Sequence, residues 1–228
     1  MMNYKSFSFT HPGHVRKVNE DAFYSSDEKG LWIVCDGMGG HEEGNFASHL
    51  ITDIFEEFEM IGSFEEKISV MCKQIEIIHN ILKNKVEKIG DNITIGTTLI
   101  LLHIYENKGV CIHSGDSRCY NLRENMLSTV TKDHAIEIDD LYGKRKVLTS
   151  AISAPGDLFI ETTRFIVKEG DKFLLCSDGL YDNVSNNTIK NSMENQNFEE
   201  AMDNLRINVL STKADDNITA ILVGQDEK

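Results

Sequence analysis

The sequence predicts an α+β sandwich, and three observations point there. Short apolar runs of strand length occupy both ends of the chain, many are separated by gaps no longer than a hairpin turn, and two long helical patterns lie between them. Gaps such as Glu106-Asn107 or Arg123 to Asn125 favour antiparallel pairing over alternating βαβ units, whose crossovers are much longer.

Taken in chain order, the apolar runs predict strands over 5–10, 31–35, 98–105, 108–114, 118–122, 158–167, 172–177 and 217–223. A first helix is expected over 43–58, where Ala47, Ile51, Ile54, Phe55 and Phe58 fall on one face. A second is expected over 64–89, because Ile68, Met71, Ile75, Ile78, Leu82, Val86 and Ile89 recur at helical spacing; that face reads as core, or alternatively as a coiled-coil seam. Ser63 and Glu66 have the spacing of a capping box at its start. A third helix is expected over 198–210, with Asn197 and Glu200 as its start signal. With only two prolines and no Ser/Gly-rich linker, repeat or low-complexity block, residues 1–228 are read as one domain.

Composition excludes several function classes. The formal net charge is −14, and nucleic acids or anionic membranes would require basic patches that the chain lacks. Its longest basic run, Lys144-Arg145-Lys146, reads as a solvated loop. The opening MMNYKSFSFT has no signal-peptide core, and no apolar stretch reaches membrane-spanning length. Five widely spaced cysteines without a C-x-x-C pair read as small buried hydrophobes in a reducing compartment, so a cytoplasmic location is expected.

Carboxylates in an unusual setting suggest where chemistry could sit. Asp36 ends the apolar run LWIVC and precedes GMGG; Asp178 ends KFLLCS and precedes Gly179; Asp216 opens NITAILV; Glu20 and Asp21 precede a β-like run. A single Asp-Gly is an ordinary turn. Several acids at strand ends would, if they converge, repel one another unless cations neutralise them, and all-oxygen donors suit Mg²⁺ or Mn²⁺. Spacing alone leaves open that they never meet. Arg16 is the one guanidinium near them by sequence, and its planar fork suits two phosphate oxygens, although a surface arginine would read the same way. His41 ends the GMGGH turn and could bind substrate or pass a proton, or simply be a satisfied loop histidine. Other signatures fail: six residues separate Cys111 from Arg118, one too many for a cysteine-phosphatase loop, and there is no P-loop, G-x-G-x-x-G or H-E-x-x-H.

RKVNEDAF from Arg16, VCDGMGGH from Val34, GTT from Gly96, GDSRCY from Gly115, TKDH from Thr131, VLTSAI from Val147, LLCSDGLYD from Leu174 and DDNITAILV from Asp215 occur in the order found in type 2C protein phosphatases. The chain resembles this metal-dependent PPM family, most closely its bacterial branch, from about Tyr4 to Val223. The resemblance implies a four-layer αββα sandwich, two stacked antiparallel sheets each covered by a helical pair. It also implies two Mn²⁺ or Mg²⁺ ions. Asp36 would bridge them, Glu20 and the Gly37 carbonyl would complete one site, and Asp178 with Asp216 the other. Asp116 matches a position that helps hold a third metal with the residue matching Asp178. Arg16 matches the phosphate-binding arginine, and Asp21 is expected behind the ligands.

The implied reaction is in-line attack on phosphorus by a water made acidic between two ions about 3.5–4 Å apart, with no phosphoenzyme. Two departures from the family pattern stand out. Met38 replaces a histidine that animal members carry after Asp-Gly, leaving a metal-bound water or His41 to protonate the leaving group. The stretch AIEIDDLYGKRK is shorter than the flap of many bacterial members, which bears on substrate selection and on the third site. The expected substrates are phosphorylated proteins, opposing a bacterial serine/threonine kinase, and the expected state is a monomer. The alternatives are a phosphatase of small phosphoesters or of an anti-sigma-antagonist phosphoprotein, and a non-catalytic binding module of the same fold.

Overall fold

Alternation along one strand sets the layering. In β3 (Leu31–Met38), Leu31, Ile33 and Cys35 join a buried cluster with Ala47, Ile51, Met71 and Ile75 of two helices. Trp32 and Val34 join a second cluster with Phe173, Leu175, Ile221 and Val223, which belong to another sheet. One face of β3 therefore packs on helices and the other on strands. In this computed structural model the described residues are 4–39, 42–90, 94–140, 143–154 and 156–225.

Among them, one sheet runs in the order β1 (Tyr4–His11), β13 (Ile218–Gln225), β12 (Lys172–Cys176), β7 (Arg118–Arg123) and β8 (Met126–Thr129). The other runs β11 (Glu161–Ile166), β6 (Lys108–Ser114), β5 (Leu99–Tyr105), β3 and β2 (Asp21–Ser26), with the short β4 (Gly96–Thr97) pairing the end of β3. The pairings are antiparallel. Helices α1 (Glu42–Glu56) and α2 (Phe64–Ile89) cover the second sheet. The short α3 (Asp178–Tyr181), α4 (Asn186–Glu194) and α5 (Phe198–Leu210) cover the first, where Ile189, Met193, Leu205 and Val209 meet Leu174 and Leu222. Three apolar fillings between four layers make the expected αββα sandwich. No helix among the described residues is long and apolar enough to cross a membrane.

Local signals decide the helix ends. The Ser63 hydroxyl accepts the Glu66 amide while the Glu66 carboxylate accepts the Ser63 amide at 2.8 Å, the capping box that the sequence predicts. Asn197 caps α5 by accepting from the amides of Glu199 and Glu200. The first helix stops at Glu56 rather than at residue 58, and Phe58 folds back so that its ring lies 5.3 Å from that of Phe55.

Several elements escape the sequence reading, among them β4, β8, α3, α4 and a hairpin of residues 135–140 and 143–148. Helix α4 has few apolar residues, and only Ile189, Ser192 and Met193 are buried, too short a stripe to register as periodic. The run Lys144-Arg145-Lys146 is not a loop. It lies in β10 (Gly143–Leu148), which pairs with β9 (Ala135–Asp140) as a two-stranded flap outside both sheets. Neither face of this hairpin is core, so its strands lack the apolar alternation that reveals the others.

Candidate active site

The site is the polar rim of the filling between the sheets. Trp32 and Val34 point into that filling, and strand alternation carries Asp36 to the same face at its edge. Antiparallel register sets Asp21 opposite Asp36, which brings Glu20 alongside, just before β2. Asp178 is the first residue of α3, directly beyond β12, and Asp216 precedes β13. Asp116 lies in the turn joining β6 to β7. One cavity of about 370 Å³ brings Glu20, Asp36, Asp116, Asp178 and Asp216 together, with Arg16 and Gly37 on its wall. A larger cavity of about 1010 Å³ opens near Phe7 and Phe198, but it gathers no comparable set of acids: of Glu169, Asp171 and Glu199 on its wall, Asp171 is already held by Arg123 at 2.7 Å.

Backbone and side-chain bonds fix these acids. The Asp36 amide donates to the Thr98 hydroxyl at 3.0 Å, and its carbonyl accepts from the Thr98 amide at 2.9 Å and the Thr97 hydroxyl at 3.0 Å. The GTT string thus clamps the residue at the centre of the site. A side chain at Gly37 would place its Cβ 2.3 Å from the Gly44 carbonyl and 2.5 Å from that of Glu20, so only glycine permits this approach. Asn217 staples the N-terminal ligand loop. Its Oδ1 accepts the Glu20 amide at 2.8 Å, and its Nδ2 donates to the carbonyls of Pro12 at 3.0 Å and Val18 at 3.1 Å. Asp21 sits behind the rim, where Ser177 donates to it at 2.8 Å while accepting the Thr219 amide.

Electrostatics set the chemistry. Six carboxylates and two basic side chains line the cavity, leaving four negative charges uncompensated. Burial pushes the Asp36 carboxyl well above the ordinary range, and Asp21, Asp178 and Asp216 add to it by repulsion. Burial, then Asp116 and Asp216, push Asp178 up to about 7. Its Oδ1 is buried without a hydrogen-bond partner. A buried, unpartnered carboxylate oxygen among like charges, in a set offering only oxygen donors, fits hard divalent cations, two of which carry the balancing charge.

The two basic side chains stand differently. Arg16 Nη2 lies 2.9 Å from Asp216 Oδ2, with the two side chains 54% and 40% exposed. Lys146 reaches in from β10 to pair with Asp116, whose side chain is only 6% exposed, and donates to the Tyr181 hydroxyl at 2.5 Å. Tyr181 in turn donates to the Asp116 carbonyl at 2.9 Å.

The structure brings Arg16, Glu20, Asp36, Gly37, Asp116, Asp178 and Asp216 to one cavity. His41 lies outside the described residues. Sequence reasoning gives no role to Asn217, Tyr181 or Lys146. The first two sit inside family strings, where their neighbours drew the attention, and a lysine in a polar hairpin carries no distinguishing pattern. It also passes over His113, His134 and Glu161, which each offer a ligand atom within 4.8 Å of the others. These groups largely serve one another and the Asp116 turn. His113 Nε2 donates to the Lys132 carbonyl at 2.9 Å, His134 Nδ1 accepts the Gly115 amide, and His134 Nε2 faces Glu161 at 3.3 Å.

Comparison with known proteins agrees with this geometry. Residues 12–222 match the family model described as Protein phosphatase 2C. The serine/threonine phosphatase stp of Listeria welshimeri is 29% identical, over 94% of this chain and 93% of its own. The structure described as PppA, a key regulatory component of T6SS in Pseudomonas aeruginosa, superposes with a TM-score of 0.92 at 33% identity, covering 98% of each chain. The catalytic domain of the serine/threonine protein phosphatase PstP, solved in complex with 2 manganese ions, superposes with a TM-score of 0.84 at 26% identity and covers 100% of each chain.

Proposed function

The chain belongs to the protein phosphatase 2C family, and from that premise we propose that its carboxylate cavity hydrolyses phosphoserine and phosphothreonine in proteins with two divalent cations, Mn²⁺ or Mg²⁺. The observation that carries this reading is the convergence of Glu20, Asp36, Asp178 and Asp216 beside an exposed guanidinium in one cavity. Asp36 would lie between the ions, Glu20 and the Gly37 carbonyl would hold one, and Asp178 with Asp216 the other. When bound, such ions supply Lewis acidity at the phosphoryl group and an acidified water as nucleophile.

The chain's own residues supply position and charge. Arg16, held among the described residues by an exposed ion pair, can turn its fork from Asp216 to two phosphate oxygens and bind them. Thr97, Thr98 and Asn217 keep Asp36 and Glu20 in register, so the donor set is organised before substrate arrives. Position 38 is Met38, which carries no proton to give, so the leaving oxygen draws its proton from elsewhere in the cavity or from His41.

We further place this activity opposite a serine/threonine kinase in the cytoplasm, on one catalytic unit spanning residues 1–228 that acts as a monomer. All five cysteines are free, which fits a reducing compartment. The test is turnover of phosphothreonine peptides and of free phosphometabolites across a Mn²⁺ titration. Hydrolysis that requires the metal and favours the peptides is expected. Turnover that survives chelation would overturn the metal assignment, and a preference for small esters would overturn the substrate class.

A further inference from the structure

The resemblance assigns Asp116 to a third metal, but in this chain Asp116 already has a cation. The Lys146 ammonium pairs with its Oδ2, and the acid side chain is 6% exposed, so little solvent competes for it. The same ammonium donates to the Tyr181 hydroxyl at 2.5 Å and lies 3.6 Å from Asp133 Oδ2. Tyr181 is itself anchored to the Asp116 carbonyl, and Asp133 is gripped by Arg118 at 2.9 and 2.8 Å. The lysine is thus surrounded by oxygens that are themselves held in place. A dication brought to Asp116 would have to expel this ammonium or lie against it, and either is opposed by charge.

Position on the chain adds a second reason. Lys146 comes from β10 of the flap, in register with Glu137 of β9 and outside both main sheets. Lys144, Arg145 and Lys146 are all exposed along this strand, the Lys146 side chain by 30%. Of the three consecutive basic residues, Lys146 is the one whose ammonium reaches the wall of the cavity.

We propose that Lys146 takes the place of the third cation, so that this enzyme holds two metal ions and one ammonium that ties the flap to the rim of the cavity. The inference rests on the two-metal reading of the same site. Asp116 is then the anchor of the flap and not a metal ligand, and Lys146 is a positioning residue.

Metal counting tests this. Protein saturated with Mn²⁺ would be analysed by native mass spectrometry as wild type, Lys146→Met, Lys146→Arg and Lys146→Met/Asp116→Asn. The expected counts are two ions, three, two and two. Three ions in the wild type, or two in Lys146→Met, would overturn the proposal. Fewer than two in the wild type would instead remove the two-metal reading, and this inference with it. Amine acylation of the wild type, read by peptide mapping in saturating Mn²⁺, needs no variant to fold. Lys146 should label at least tenfold more slowly than Lys144, and equal rates would show that it has been expelled from the site.

Discussion

Two ion pairs on the wall of the cavity stand in opposite circumstances. Arg16–Asp216 is about half exposed on both sides, whereas Lys146–Asp116 has an acid that water scarcely reaches and a hydroxyl that shares the ammonium. Exposed pairs contribute little, about 0–1 kcal/mol, because solvent competes for both partners. A buried acid that loses its partner has no such recourse. The difference separates roles within one set of charges. Arg16 can leave its carboxylate at little cost when a phosphate arrives, while Lys146 is built to stay.

Asp36 feels the charges of both pairs, so its loss should have the largest effect. Asp36→Asn is expected to lower kcat for phosphothreonine peptides by about 10³-fold or more with the fold intact by circular dichroism; retention of a tenth of the activity would remove its central role. The contrast between the pairs should appear next in thermal unfolding of metal-free protein. Lys146→Met should cost about 1–3 kcal/mol by leaving Asp116 unpaired, and Arg16→Ala less than about 1 kcal/mol. Equal losses would erase the distinction drawn here.

A third effect concerns pH. Because the Asp178 carboxyl titrates near 7 when folded and near 3.8 when unfolded, the folded chain keeps its proton where the unfolded chain has lost it. Metal-free stability should therefore be highest with respect to this group below about pH 4 and decline as the pH rises toward 7. Asp178→Asn, which has no such charge, should match the metal-free wild type near pH 4 and melt roughly 4 °C above it at pH 7.5. Saturating Mn²⁺ should reverse that order. A variant that melts lower than metal-free wild type at pH 7.5 would contradict the repulsion argument. The smallest effect expected is on substrate binding: Arg16→Ala should raise KM about tenfold with little change in kcat. An unchanged KM would leave Arg16 as the surface residue that its sequence position equally allows.

Legibility in the sequence followed burial. Helix α2 and helix α5 are found over the predicted residues because each has a long apolar stripe and a polar cap at its start. The longer strands of the two sheets are readable for the same reason, since their faces fill apolar cores, whereas the short β4 and β8 are not. The flap carries no such record: among the described residues β9 and β10 pair only with each other, and Lys146 does its work through one ammonium rather than through a pattern. Likewise the carboxylates could be suspected from their places at strand ends, but that they meet depends on register. Asp21 opposite Asp36 is one such pairing, fixed by the register of the β2–β3 hairpin.

Asn217 has a consequence for how the enzyme is born. The Glu20 amide is held by a side chain 197 residues further along, and the Pro12 carbonyl by the same group 205 residues away. On a ribosome adding about 5–20 residues per second, the first acidic residue of the site waits roughly 10–40 s for its staple to be made. Until then the emerging chain carries most of the acids but no assembled centre, so a nascent or prematurely terminated product releases no phosphate.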